Sequence, residues 1–197
     1  MLTARSPRRA AGFTLIELMV TIALIAILLV MVVPGFGTWN ADARVRSVAE
    51  SLTNAIRQTQ SAAVSNGRTS LFAFTTDGAP SLSSVPAAGG ANWLAALRKL
   101  DGSDESTSLI FKSTESRANS VSIGNGPAMI CFNSLGRMTS LPSDANNLAT
   151  ACTSGDTYYT VSRANASRSF RVYVYAGGRV RMCDAAKTLS STNPDGC

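Results

Sequence analysis

From Phe13 to Val33 the chain places 21 residues in a row with a single charge, Glu17. As a helix this run spans ~31 Å at about 1.5 Å per residue, the thickness of a bilayer core. Pro34-Gly35-Phe36-Gly37 follows. The proline removes one helix hydrogen bond and the glycines loosen the backbone, so a kink at Pro34 or local melting is expected. Helical spacing then resumes, with Val45, Val48, Leu52, Ile56, Thr59 and Ala63 on one face. Asn66-Gly67 reads as the stop signal. A single broken helix, half in a membrane and half packed on a head, is one reading of these residues, and two separate helices are the other.

Beyond Gly67 the spacing changes to that of strands. Thr69 to Thr76 is predicted as a strand with Phe72 and Phe74 on one face, ended by a turn at Asp77-Gly78. Residues 79–92 read as loop. Trp93 to Leu100 is ambiguous by pattern, and its position favours a strand. Short strands follow at 109–111, 121–123, 128–132 and 158–162. Polar turn and loop residues separate them, at 101–108 and 140–156. Ser169 to Tyr175 alternates with Phe170, Val172 and Val174 inward and Arg171, Tyr173 and Tyr175 outward. Gly177-Gly178 is expected to be a two-residue hairpin turn into Arg179–Cys183. The rest, 185–197, is a short polar tail. A long N-terminal helix followed by antiparallel strands is an α+β layout.

Composition removes several chemistries. The 197 residues include no histidine. Ser-His-Asp and Cys-His pairs and His-ligated metal sites therefore drop out. No phosphate-cradling glycine loop or metal-ligand cluster is legible, and no cofactor is expected. Asp101, Asp104 and Glu105 lie in a polar turn and read as solvated rather than as catalytic acids. Net charge is +6, unevenly spread: residues 101–156 carry −3 and residues 157–197 carry +4. A basic C-terminal part suits an anionic partner, although a solvated face is the commoner meaning. Cys131, Cys152, Cys183 and Cys197 lack the spacing of a zinc or thioredoxin-like motif. An even count in a translocated chain suggests disulfides, with three connectivities open.

Three readings compete for the N-terminus. A secretory signal would have a basic start and a small-residue cleavage site, and Ala41-Asp42-Ala43 has that form. But the apolar run is too long for one, and Glu17 is out of place. A plain anchor helix explains the length and the basic leader (Arg5, Arg8, Arg9) but not the carboxylate, which costs roughly 2.5–3.5 kcal/mol at a helix centre and less near an end. The third reading accounts for all of it. Gly12-Phe13-Thr14-Leu15-Ile16-Glu17 with the run that follows resembles the N-terminus of type IV prepilins and of the pseudopilins of type II secretion.

That resemblance implies cleavage after Gly12 by a prepilin peptidase and N-methylation of Phe13. It implies retention of Glu17 in the membrane, and Pro34 falls where such helices often carry a proline. Removing 12 of the 197 residues leaves a mature chain of 185. The expected organisation is a leader over 1–12, a transmembrane and assembly helix over 13–34, its amphipathic continuation over 35–67, and a periplasmic head over 68–197. The subunit would wait in the inner membrane and then join a filament of other pilins or pseudopilins. There the Phe13 amine of one subunit and Glu17 of a neighbour could neutralise each other, since a buried unpaired charge costs several kcal/mol. The alternative is that Glu17 pairs with its own helix N-terminus, favourable by roughly 0.3–1 kcal/mol.

Residues 131–137 and the ending Gly178-Arg179-Val180-Arg181-Met182-Cys183-Asp184 resemble minor pilins and pseudopilins of the GspH/FimT/FimU kind. The resemblance, with sequence proximity, favours Cys131–Cys152 and Cys183–Cys197. The latter bridge is of a size that contributes ~3 kcal/mol in the chain-entropy model. The Gly-Arg-x-Arg form resembles the DNA-binding motif of FimT-like minor pilins, which take part in DNA uptake during natural transformation. Arg179 and Arg181 alternate on one strand face, and Arg168 and Arg171 could add to a patch for double-stranded DNA. A solvated hairpin face is the plain alternative. No aromatic ladder near the arginines demands single-stranded bases, although Tyr173 and Tyr175 are candidates. A tip or priming subunit of a type IV pilus, with or without DNA binding, and an H-type pseudopilin of type II secretion all remain open.

Overall fold

The computed structural model describes residues 12–98, 108–142 and 150–197, and for residues 30–36, 108, 117 and 118 the backbone alone. The turn expected around Asp101, Asp104 and Glu105 and part of the 140–156 loop lie outside these. Contacts divide the chain into two units, with the boundary between Gly37 and Thr38.

Helix α1 runs Leu15–Asn66. Its backbone stays helical through residues 34–37, so the melting expected there does not occur. One missing proline N–H leaves the neighbouring turns of the hydrogen-bond ladder in place. In the first unit every described large apolar side chain of α1, from Leu15 to Leu29, is exposed. Among the described residues no helix is long and apolar enough to cross a membrane. The apolar run read from sequence continues into residues 30–33, whose side chains lie outside the description.

In the second unit the stripe Val45, Val48, Leu52, Ile56 and Ala63 is fully buried. The helix ends as its sequence predicts. Gly67 takes φ +63°, the Gly67 N–H reaches the Val64 carbonyl at 3.3 Å, and the Arg68 N–H reaches the Ala63 carbonyl at 3.1 Å. That pair of bonds is a Schellman cap, and it satisfies carbonyls the helix would otherwise leave open.

The strands are β1 (Ser70–Thr75), β2 (Asn92–Leu97), β3 (Ser108–Ser113), β4 (Ser122–Gly124), β5 (Met129–Phe132), β6 (Thr157–Ser162), β7 (Phe170–Val174) and β8 (Val180–Asp184). A one-turn helix, α2 (Glu115–Ala118), which the sequence pattern did not signal, precedes β4. The strands form two antiparallel four-stranded sheets, ordered β3-β2-β1-β5 and β4-β6-β7-β8. Both sheets share one core with α1: Phe72, Phe74, Trp93 and Ile130 from the first, and Tyr159, Val161, Val172 and Val174 from the second.

Strand β1 departs from the expected one-faced pattern, because all six of its residues are buried. Phe72 and Phe74 do share a face, in contact edge-to-face at 5.2 Å. The opposite face, Leu71 and Ala73, is covered by a second cluster with Leu94, Ala96, Met129, Cys131 and Cys152. Cys131 is joined to Cys152 and Cys183 to Cys197, with Cα separations of 5.7 and 5.2 Å. The first bridge thus holds Cys152 on the sheet face that α1 does not cover, with Leu82 and Leu141 packed against the same cluster.

Ala41-Asp42-Ala43, the alternative cleavage form, lies inside α1, and Ala41 is buried. The Asp42 carboxylate accepts from the Ser167 hydroxyl (2.6 Å), the Ser167 N–H (2.7 Å) and the Arg168 N–H (3.0 Å). Chiefly through the Ser167 hydroxyl, and then the two N–H groups and the Arg168 charge, these hold Asp42 below the usual carboxylate range. Asp42 so fastens the segment that leads into β7.

Candidate functional site

The first candidate region is the start of α1. Thr14 stands at the N-cap, and its Oγ1 accepts from the Glu17 N–H at 3.3 Å. The Leu18 N–H reaches the Thr14 carbonyl at 3.2 Å. Glu17 is therefore the third residue of the helix. The Thr14-x-x-Glu17 spacing is that of a capping box, a signal legible in the sequence. An acidic residue in the first turn also complements the positive end of the helix dipole. Phe13, immediately before the cap, is 84% exposed, and among the described residues no heavy atom lies within 4 Å of where a Gly12 Cβ would be.

The second region is the outer face of the sheet β4-β6-β7-β8. The turn before β8 is not the two-residue form expected. The Gly178 N–H bonds the Tyr175 carbonyl at 2.7 Å, and the Tyr175 N–H bonds the Arg179 carbonyl at 2.9 Å. That is a three-residue loop, Ala176-Gly177-Gly178, with Gly178 at φ +93°. Such loops end in a left-handed residue, which glycine adopts without a Cβ clash. Gln60 of α1 locks the turn: its Nε2 donates to the Gly136 carbonyl (2.6 Å) and to the Gly178 carbonyl (2.9 Å). The glycine of Gly-Arg-x-Arg is thus a packing requirement that aims the residue after it.

The four arginines singled out from sequence divide into two pairs. Arg179 is exposed, with its guanidinium 4.2 Å from the centre of the Tyr175 ring. Arg171 lies over Tyr158 at 5.4 Å, and its Nε is buried without an acceptor. Arg168 does not join them. It donates through Nε (3.0 Å) and Nη2 (2.5 Å) to the buried Asp184 carboxylate, so its charge is already paired within the chain. Arg181 turns to the tail, where its Nη2 donates to the carbonyls of Gly196 (2.8 Å) and Pro194 (3.3 Å). The tail, read as merely polar, is held by those bonds, the Cys183–Cys197 bridge and a Lys187–Asp195 ion pair at 2.6 Å.

An aromatic ladder is also present, contrary to expectation. Tyr158 pairs with Tyr173 across β6 and β7, with ring centres 5.2 Å apart, and Tyr173 stacks on Tyr175 at 6.1 Å. Tyr158 was missed because only the register of β6 on β7 brings it beside Tyr173.

The prokaryotic N-terminal methylation motif matches residues 7–33. A crystal structure of the type IV minor pilin FimU of Pseudomonas aeruginosa is similar over 73% of this chain and 90% of its own, with a TM-score of 0.50 and 16% identity. A second crystal form of that protein gives 0.48 and 14%, over 72% and 94%. No curated protein matches the chain. The chain therefore has the α+β fold of a type IV pilin. Within that class it carries the methylation motif at its N-terminus and a head folded like that of a minor pilin.

Proposed function

We propose that this chain is a minor subunit of a type IV pilus, cleaved after Gly12, methylated on Phe13, and built into the filament at its tip or during its priming. The observation that carries this reading is the N-terminal methylation motif at the start of an apolar helical stretch whose large apolar side chains from Leu15 to Leu29 are exposed. So long an apolar surface needs a cover, and lipid before assembly and neighbouring pilin helices afterwards both supply one. The inner membrane then holds the chain with its head in the periplasm, where disulfides persist. The alternative, a pseudopilin of type II secretion, uses the same helix in the same way.

Glu17→Ala tests the assembly role. It removes a charge from an apolar helix, so the membrane-bound amount should not fall. Incorporation into filaments should fall at least tenfold in immunoblots of sheared pili, because the Phe13 amine of one subunit loses its partner. Normal incorporation would sink the pairing.

A second reading, that the head also binds double-stranded DNA, is favoured by the exposed Arg179 guanidinium and by Arg171 on the same sheet face. The patch is small, so affinity for a 20-bp duplex should be in the range of non-specific binding, with Kd roughly 10⁻⁴–10⁻⁶ M and a steep loss with salt. Arg179→Gln should weaken it severalfold. Arg168→Gln should instead lower the thermal midpoint, because it leaves the buried Asp184 unpaired.

A further inference from the structure

We infer that the outer face of the β4-β6-β7-β8 sheet is a stacking platform for single-stranded nucleic acid, built by Tyr158, Tyr173 and Tyr175 and bracketed by Arg171 and Arg179. The inference rests on the DNA-binding reading above and specifies the form of the ligand.

The argument starts from register. In β7, Val172 and Val174 fill the core, so Arg171, Tyr173 and Tyr175 share the other face. Pairing of β6 sets Tyr158 opposite Tyr173. The result is a run of three rings with centres 5.2 and 6.1 Å apart, and a guanidinium over the ring at each end. All three tyrosines are half-buried, neither sealed in the core nor fully solvated. One carboxylate adjoins the Tyr175 end: Asp156 accepts the Ala176 N–H at 2.7 Å.

This chemistry differs from that of a phosphate patch. Duplex DNA hides its base faces and offers phosphates, for which arginines suffice. A single strand offers flat bases together with phosphates, and a run of rings with a guanidinium at each end matches both. Every base has a π-face, so the platform would accept strands of any sequence. A neutral sugar polymer would use the rings but leave the two arginines without a function. The Gln60 lock on Gly136 and Gly178 holds the turn from which Arg179 extends.

The test uses the full mature chain in detergent micelles and three fluorescein-labelled ligands of equal length: dT12, an abasic 12-mer with the same phosphates, and a 12-bp duplex. Anisotropy at low salt should show dT12 bound at least fivefold more tightly than the abasic strand. Each stacked base is worth about 1–3 kcal/mol, which is about fivefold to over a hundredfold. Tyr173→Ala should erase that advantage and leave abasic and duplex binding unchanged. Tyr173→Leu, which keeps apolar bulk on the sheet, should do the same with an unaltered thermal midpoint. Arg179→Gln should weaken all three ligands. Equal binding of dT12 and the abasic strand, or a dT12 advantage that survives both Tyr173 variants, overturns the platform while duplex binding keeps the DNA reading. Failure of all three ligands to bind overturns both.

Discussion

Gly178→Ala is expected to destabilise the folded head by about 3 kcal/mol, while Gly177→Ala changes it by no more than about 0.5 kcal/mol. The two glycines are neighbours in one turn. A Cβ on Gly178 would stand 2.1 Å from the Gly136 carbonyl oxygen and 2.4 Å from Gln60 Nε2, at a φ of +93°. The obstacle is backbone and a side chain already holding two carbonyls, so neither can yield without breaking the lock. A Cβ on Gly177 meets nothing within 4 Å. At roughly 2–4 °C per kcal/mol for a chain of this size, calorimetry of Gly178→Ala should give a midpoint lower by about 6–12 °C. Matching midpoints for the two variants would mean that the Gln60 lock does not hold the turn.

The second large effect belongs to the Cys131–Cys152 bridge. Replacing both cysteines by alanine should cost about 3 kcal/mol in the chain-entropy model for a separation of 21 residues. Further loss follows because both cysteines belong to the apolar cluster over Leu71, Ala73, Leu94 and Met129. Urea unfolding should show a lower midpoint. A variant as stable as the parent would place the cover of that sheet face elsewhere.

The elements of the fold were legible where one period ran uninterrupted. The stripe from Val45 to Ala63 named the buried face of α1, Asn66-Gly67 named its end, and the alternation from Phe170 to Tyr175 named the inner face of β7. What was not legible depended on distant partners. Leu71 and Ala73 read as an outer face because nothing in their own strand tells that Cys152, bridged to Cys131 over a separation of 21 residues, packs in their cluster. Arg168 read as a free cation because its partner, Asp184, sits 16 residues on and two strands away in the chain path. Tyr158 joined the ladder only through strand register. Two adjacent glycines look alike as letters, and only the Gly136 carbonyl behind one of them separates their roles. Thr14 was readable from the Thr-x-x-Glu spacing alone.

The central claim is that the chain is a processed pilin subunit whose first residue is Phe13. Intact-mass and N-terminal peptide mass spectrometry of the protein purified from cells with an active prepilin peptidase tests it most directly. The account predicts a mature chain beginning with N-methylated Phe13, with Gly12 the last residue removed. A mature chain beginning at Arg44, after Ala41-Asp42-Ala43, or one that keeps residues 1–12 unprocessed, would contradict it.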